Sequence, residues 1–167
     1  GCSKGAGDQY VRDYGRIYGL PAAVMRQSCI YGPLQRGNED QGWVAHFLKS
    51  ALAGRSLTVY GDGRQVRDVL YVDDLLDAFE RCWAKRAAEV LNVGGGPSNT
   101  LSLLELLAWI RGKGVRVDVR FDDWRPGDQR VYISDIRRAG RVLGWRPRTG
   151  VVEGLSKLWG WLRTGKA

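Results

Sequence analysis

The sequence predicts an α/β domain, and three observations carry the prediction. Short apolar runs rich in β-branched residues alternate with longer runs of helical period, the order in which strands and helices pack into mixed layers. Glycine and proline mark the joints between them, at Gly19-Leu20-Pro21, Gly32-Pro33 and Gly96-Pro97. The 167 residues are 44% apolar and include seven tryptophans, enough for one domain with a core of its own.

Each element follows from its local pattern. Ser3 to Tyr18 has the helical period, with Tyr10, Val11, Tyr14, Ile17 and Tyr18 on one face; Gly19 ends it and Pro21 forbids its continuation. Ala22 to Gln27 is a short apolar strand leading to Ser28-Cys29-Ile30-Tyr31-Gly32-Pro33, and Leu34 to Gln41 is a polar loop of the kind that carries binding residues. A helix runs from Gly42-Trp43 to about Leu52, with Val44, Phe47, Leu48 and Ala51 on its apolar face. Leu57 to Tyr60 is a strand, Gly61-Asp62-Gly63 a turn, and Val69 to Val72 a second extended run. Asp73-Asp74 stand where a helix cap belongs, before a helix reaching Lys85 or Arg86. Val90 to Val93 is a strand closed by Gly94-Gly95-Gly96-Pro97. Ser102 and Glu105 have the capping-box spacing at the head of the next helix. Val115, Val117, Val119 and Phe121 alternate with polar residues as a half-buried strand. Asp122 to Asp128 is a charged turn. Helices over Ser134 to Leu143 and Val151 to Leu162 complete the chain, the latter with a stripe of Val152, Leu155, Leu158, Trp159 and Leu162, and the tail Arg163 to Ala167 is expected to fray.

Composition excludes several classes. No run of eighteen apolar residues exists to cross a membrane, and the first residues lack the apolar segment of a signal peptide. Three scattered cysteines, Cys2, Cys29 and Cys82, argue against a disulfide framework and for a cytoplasmic home. A single histidine, His46, and no Cys-x-x-Cys pair leave no expected metal site. The net charge of +8 suits an anionic partner. The basic residues are dispersed among acids and not gathered on a stripe, which favours a phosphorylated small molecule over nucleic acid. The helical pattern is already running at the first residues with no cap before it, so the sequence is expected to be the C-terminal part of a longer protein.

The stretch Leu57 to Asp74, LTVYGDGRQVRDVLYVDD, carries the densest chemistry. Arg67 offers a planar fork to a phosphate, with Asp68 placed to steady it. The competing reading is a surface hairpin with a local Arg–Asp pair, which contributes little. Arg67 and Arg125 lie in two separate turns that could converge on one polyanion.

Four segments together resemble the C-terminal portion of the NAD-dependent sugar-nucleotide epimerases and dehydratases, of the extended short-chain dehydrogenase/reductase type. They are Gly1-Cys2-Ser3-Lys4, the end of a Tyr-x-x-x-Lys motif; RQSCIYGP from Arg26 to Pro33; GDGRQVRDVLYVDD; and Arg125-Pro-Gly-Asp128 with Asp135, Leu143-Gly-Trp145 and Pro147. Asp40-Gln-Gly-Trp43 and RQVRDVL look most like the CDP-paratose (CDP-tyvelose) 2-epimerases. The resemblance implies a division in which residues 1–33 close a Rossmann-type core and 34–167 form mainly the nucleotide-sugar-binding part. It implies NAD as cofactor, contacted by Lys4 and Tyr31, with Lys4 tuning a catalytic tyrosine one position before Gly1. It implies a CDP-sugar or other nucleotide-diphosphate sugar as substrate. Thr58 and Tyr60 would line the base pocket, Arg67 and Arg125 would hold the diphosphate, Asp128 the ribose, and Trp43 the nucleotide side. Cys29 stands where relatives often have an asparagine on the phosphates; a thiol is a weaker donor. Ordinary packing remains an alternative for Tyr60 and Trp43, and a solvated first turn for Lys4. The implied reaction oxidises one sugar carbon, lets the keto intermediate turn, and reduces it from its other face. The family's Gly-x-x-Gly-x-x-Gly turn does not occur in this sequence, so these residues alone are expected to be inactive. The first helix is expected to lie in a homodimer interface. A dehydratase or reductase of the same family, or a non-catalytic nucleotide-sugar-binding remnant, is the alternative.

Overall fold

The computed structural model describes residues 1–165. The expected fraying of the tail from Arg163 falls partly outside this range; within it, the last helix continues through Arg163.

The elements follow one another as helix α1 (Cys2–Tyr18), strands β1 (Val24–Gln27) and β2 (Cys29–Tyr31), helix α2 (Trp43–Leu52), strands β3 (Leu57–Tyr60) and β4 (Val66–Tyr71), helix α3 (Val72–Ala84), strands β5 (Val90–Val93) and β6 (Thr100–Ser102), helix α4 (Leu103–Gly112), strands β7 (Val119–Asp122) and β8 (Val131–Tyr132), and helices α5 (Arg137–Leu143) and α6 (Val151–Arg163). The alternation of strands and helices is as the sequence predicts. Among the described residues three small sheets result. β1 pairs in parallel with β5, β3 in parallel with β7, and β4 joins β2 and β8 in parallel and β6 antiparallel.

Two hydrophobic cores hold the layers. The larger packs α2, α4 and α6 against β3 and β4, with Leu48, Val59, Leu106, Ile110 and Leu158 fully enclosed. The smaller packs α3 and α5 against β5, around Leu70, Leu91, Val93 and Trp145. The four apolar positions assigned to α2, Val44, Phe47, Leu48 and Ala51, are all buried. Ser102 and Glu105 form the expected capping box: the Glu105 N–H donates to Ser102 Oγ at 3.2 Å and the Ser102 N–H to Glu105 Oε2 at 2.7 Å.

Several expectations need correction. The hairpin reading of Leu57 to Val72 fails, because β3 and β4 do not pair with each other but belong to different sheets. β4 begins at Val66, so Arg67 and Asp68 lie inside a strand and not in the turn. Asp73 and Asp74 do not cap α3, whose cap position is Tyr71. Asp74 is instead buried and accepts from the backbone N–H groups of Arg148 and Thr149 at 3.1 and 2.9 Å, fastening the loop before α6. β7 starts at Val119 and not Val115, because its partner β3 is only four residues long and the register runs Leu57↔Val119 to Tyr60↔Asp122; Phe121 is exposed there. α5 starts at Arg137, since the Asp135 carboxylate accepts from the Arg137 N–H and turns the chain first. Val152 leaves the α6 stripe for solvent. Neither β6 nor β8 was foreseen; both are too short for a period and exist through pairing with β4.

α1 keeps its apolar face but buries none of it: Tyr10, Tyr14, Ile17 and Tyr18 are all exposed. An ion pair from Arg26 Nε to Asp8 at 2.6 Å ties the helix to β1. Among the described residues no helix is long and apolar enough to cross a membrane.

Candidate functional site

β3 presents its side chains alternately to two surroundings. Leu57 and Val59 are buried in the core, while Thr58 and Tyr60, two residues apart, face a cavity of about 190 Å³. The first turn of α2 contributes Trp43, His46 and Phe47, at the i, i+3, i+4 spacing that puts three side chains on one helix face. The start of β4 contributes Arg67, and the loop after β7 contributes Arg125 and Asp128. Cys29, Glu39, Asp40, Gln65 and Leu103 complete the lining. A second hollow of about 370 Å³ shares Cys29, Asp40 and Trp43 with the first and extends toward Ser28 and Gln35.

All seven residues assigned to substrate by the sequence, Cys29, Trp43, Thr58, Tyr60, Arg67, Arg125 and Asp128, therefore meet around one space. The two arginine segments converge although 57 residues lie between them. Glu39, His46, Phe47, Gln65 and Leu103 were not foreseen. The two-residue period that turns Arg67 to the cavity also turns Gln65 there, and the helical spacing from Trp43 leads to His46 and Phe47; both signals are present in the sequence.

The arginines are held differently. Arg67 Nη2 donates to Asp128 Oδ1 at 2.6 Å and Nη1 to the Val66 carbonyl at 3.0 Å, and its side chain is only 16% exposed. Asp68 does not steady Arg67 as expected. It is fully buried on the opposite face of β4, where it accepts from Ser28 Oγ at 2.6 Å and the Gly96 N–H at 3.0 Å. Arg125 lies over the Tyr60 ring with its guanidinium carbon 3.9 Å from the centroid, a cation–π contact. It also reaches Asp40 Oδ1 at 3.3 Å and Glu39 Oε1 at 3.9 Å, while the Tyr60 hydroxyl donates to Glu39 at 3.0 Å. The cationic wall is thus balanced by carboxylates that an incoming anion must displace, and Asp40, with an 82% exposed side chain, is free to leave. Gly61 fixes the turn after Tyr60: its φ of +81° and its contact with the Trp124 ring leave no room for a Cβ.

Burial pushes the Cys29 thiol above its ordinary pKa of 9.0, against the smaller opposing effects of the Trp43 N–H and Arg67. Burial likewise lowers the His46 imidazole below its ordinary 6.5. Among the described residues no group of three or more His, Cys, Asp and Glu side chains could hold a metal ion.

Lys4 and Tyr31 do not line this cavity. Lys4 is exposed on the first turn of α1. Tyr31 is 1% exposed; its ring lies edge-on to Tyr71, its hydroxyl donates to the Val151 carbonyl at 3.4 Å, and its oxygen fills the space a side chain at Gly154 would take. The Tyr31 ring belongs to the core.

The model of the NAD dependent epimerase/dehydratase family matches residues 1–94. The chain belongs to that family. It is 38% identical to a CDP-paratose 2-epimerase of Salmonella typhi over 96% of this chain and 50% of that protein. It is 34% identical to dTDP-glucose 4,6-dehydratase 1 of Escherichia coli (strain K12) over 95% of this chain and 45% of that one. Among solved structures, UDP-glucose 4-epimerase with UDP-glucose from Thermotoga maritima superposes with a TM-score of 0.89 at 31% identity, covering 97% of this chain and 52% of that one. The fold is accordingly that of the extended short-chain dehydrogenase/reductases, and the chain spans about half the length of the curated relatives it matches.

Proposed function

We propose that these residues form the nucleotide-sugar-binding part of an NAD-dependent epimerase acting on a CDP-sugar, with residues 1–33 contributing to the cofactor-binding core and 34–167 mainly to the substrate site. The observation that carries this reading is the convergence of Arg67 and Arg125 with Thr58 and Tyr60 on one cavity. A guanidinium pair suits a diphosphate, and an aromatic ring beside a strand edge suits a base. The volume of about 190 Å³ falls short of a whole drug-sized ligand, so it takes the nucleotide end while the sugar extends toward Cys29 and the adjoining hollow.

In this scheme Arg67, preset by Asp128, and Arg125, released from Asp40, neutralise the diphosphate. Thr58 and Tyr60 bound the base, Trp43 closes the nucleotide side, and Asp128 accepts from a ribose hydroxyl as it orients Arg67. Binding at this remote end positions the reacting sugar carbon. NAD, when bound, supplies the hydride acceptor and donor at that carbon. The exposed ammonium of Lys4 fits contact with a cofactor ribose, and the segment Tyr31-Gly32-Pro33 is assigned to the nicotinamide side.

Calorimetry tests the reading. The chain is expected to bind CDP-sugar and CDP, and Arg67→Ala to weaken both; unchanged affinity removes the arginine clamp. Turnover of CDP-paratose with NAD is expected from the whole protein and not from these 167 residues alone. The similarity to a 4,6-dehydratase favours a second reading, in which the product is a dehydrated keto sugar; product analysis separates the two. The exposed apolar face of α1 supports homodimerisation of the whole protein, measurable by light scattering.

A further inference from the structure

We propose that Ser28 and Asp68 are positioning residues for the reaction: their hydrogen bond holds the strand on the sugar side of the site in place against the strand that carries Arg67. The inference rests on the nucleotide-sugar reading above and adds to it the joint between the cofactor core and the substrate site.

Ser28 is the single residue between β1 and β2. Its backbone belongs to the β1–β5 sheet, since its N–H donates to the Val93 carbonyl at the end of β5 at 3.0 Å. Its side chain belongs to the β2–β4 sheet. Ser28 Oγ donates to Asp68 Oδ1 at 2.6 Å and lies 2.5 Å from the Asp68 carbonyl oxygen on β4. The other carboxylate oxygen, Oδ2, accepts from the Gly96 N–H at 3.0 Å in the glycine loop after β5. Asp68 is fully buried, so its carboxylate depends on these donors. The space is closed as well: a Cβ at Gly94 would collide with Asp68 Oδ2, Ser134 Oγ and Ser28 Cβ. One carboxylate thus joins the β1–β2 junction, β4 and the glycine loop.

The neighbours of both residues give this joint its use. Cys29 follows Ser28, Arg67 precedes Asp68, and both line the cavity. Successive side chains on a strand point to opposite faces, so the Ser28–Asp68 bond lies behind the wall that Cys29 and Arg67 form. β2 leads from Cys29 to Tyr31-Gly32-Pro33, the nicotinamide side of the proposed scheme, while β4 carries the arginine assigned to the diphosphate. The ladder between them is short, running only from Cys29↔Val69 to Tyr31↔Tyr71. A side-chain bond at its first residue therefore helps to set where the sugar lies relative to the anchored nucleotide. Misplacing a reacting group by about 1 Å can cost about 100-fold in rate while binding at a remote end is kept.

Three readouts test the proposal: CDP affinity of the chain by calorimetry, turnover of CDP-paratose with NAD by the whole protein, and iodoacetamide labelling of Cys29 in the chain. Ser28→Ala removes the hydroxyl and leaves Asp68 in place. It is expected to keep CDP affinity within about twofold, to lower kcat about tenfold or more, and to label Cys29 severalfold faster. Asp68→Asn is the conservative variant. Its amide oxygen still accepts from Gly96, and its amino group donates to Ser28 Oγ, whose proton turns to the residue 68 carbonyl. It is expected to retain most of the parent's kcat and its slow Cys29 labelling. A kcat for Ser28→Ala within about twofold of the parent overturns the proposal, as does a parallel fall of kcat and CDP affinity, the mark of general unfolding. If Ser28→Ala does not fold, Ser28→Cys, a weaker donor of similar size, is expected to lower kcat at constant CDP affinity, and an unchanged kcat overturns the proposal. Failure of the parent chain to bind CDP, or of the whole protein to turn over CDP-paratose, removes the reading above. Unchanged Cys29 labelling in Ser28→Ala removes the positioning role by itself.

Discussion

Arg67 and Arg125 face the same cavity but are prepared to different degrees. Arg67 is largely enclosed and already fixed by Asp128, so a diphosphate meets an oriented donor with little rotamer entropy left to lose. Arg125 is shared with Glu39 and Asp40 on the exposed loop. Arg67→Ala is therefore expected to weaken CDP binding by about tenfold or more, and Arg125→Ala by less, in calorimetry at low salt. Asp40→Asn is expected to strengthen binding by about two- to fivefold, because an exposed pair contributes only about 0.2–1 kcal/mol and its removal frees the guanidinium. Cys29 gives a pH-resolved reading of the same space. Its thiol is raised above 9.0 by burial, so at pH 7 little thiolate forms, and reactivity grows only as pH climbs past 9. Iodoacetamide at pH 7.5 is expected to label exposed Cys2 well before Cys29, and bound CDP to slow Cys29 further; equal rates would contradict the enclosure of Cys29 described above.

Two helix starts show how the same residue types serve different ends. Ser102 and Glu105 satisfy the first turn of α4 locally, and Ser102→Ala is expected to cost about 1 kcal/mol in urea unfolding. Asp74 stands in the first turn of α3 but bonds two backbone groups more than seventy residues away. Asp74→Ala leaves both donors without a partner in a buried place, and the expected loss is larger, about 2–3 kcal/mol. If the two variants were equally stable, Asp74 would be no more than another helix-start carboxylate. The distinction cannot be drawn from local pattern, since both segments present a short polar residue ahead of an apolar helical run.

At the scale of the molecule, α1 stands apart from the two cores. It buries no residue and is tied to β1 by Asp8 and Arg26. Amide exchange in the isolated chain is expected to be fastest in α1 and slowest in α2, α4 and α6, whose apolar faces close the larger core. Protection of α1 equal to that of α4 would show that the helix is covered in solution. The sequence by itself determined what depends on near neighbours: the alternation of strands and helices, the buried face of α2, the capping box of α4, and the motif order that identifies the family. It also nominated the residues around the cavity, Arg67 and Arg125 from their chemistry and turns and the rest through family resemblance. Only the tertiary structure decided which strands pair, and so ended β7 at the length of β3 and created β6 and β8 from residues with no period of their own. It turned Asp68 away from Arg67 and gave Asp128 its place, because adjacent residues on a strand face opposite sides. It sent Tyr31 into the core and joined Ser28 to Asp68. Partners distant in sequence are selected by packing and by the satisfaction of buried polar groups, and neither is written in the spacing of residues along the chain.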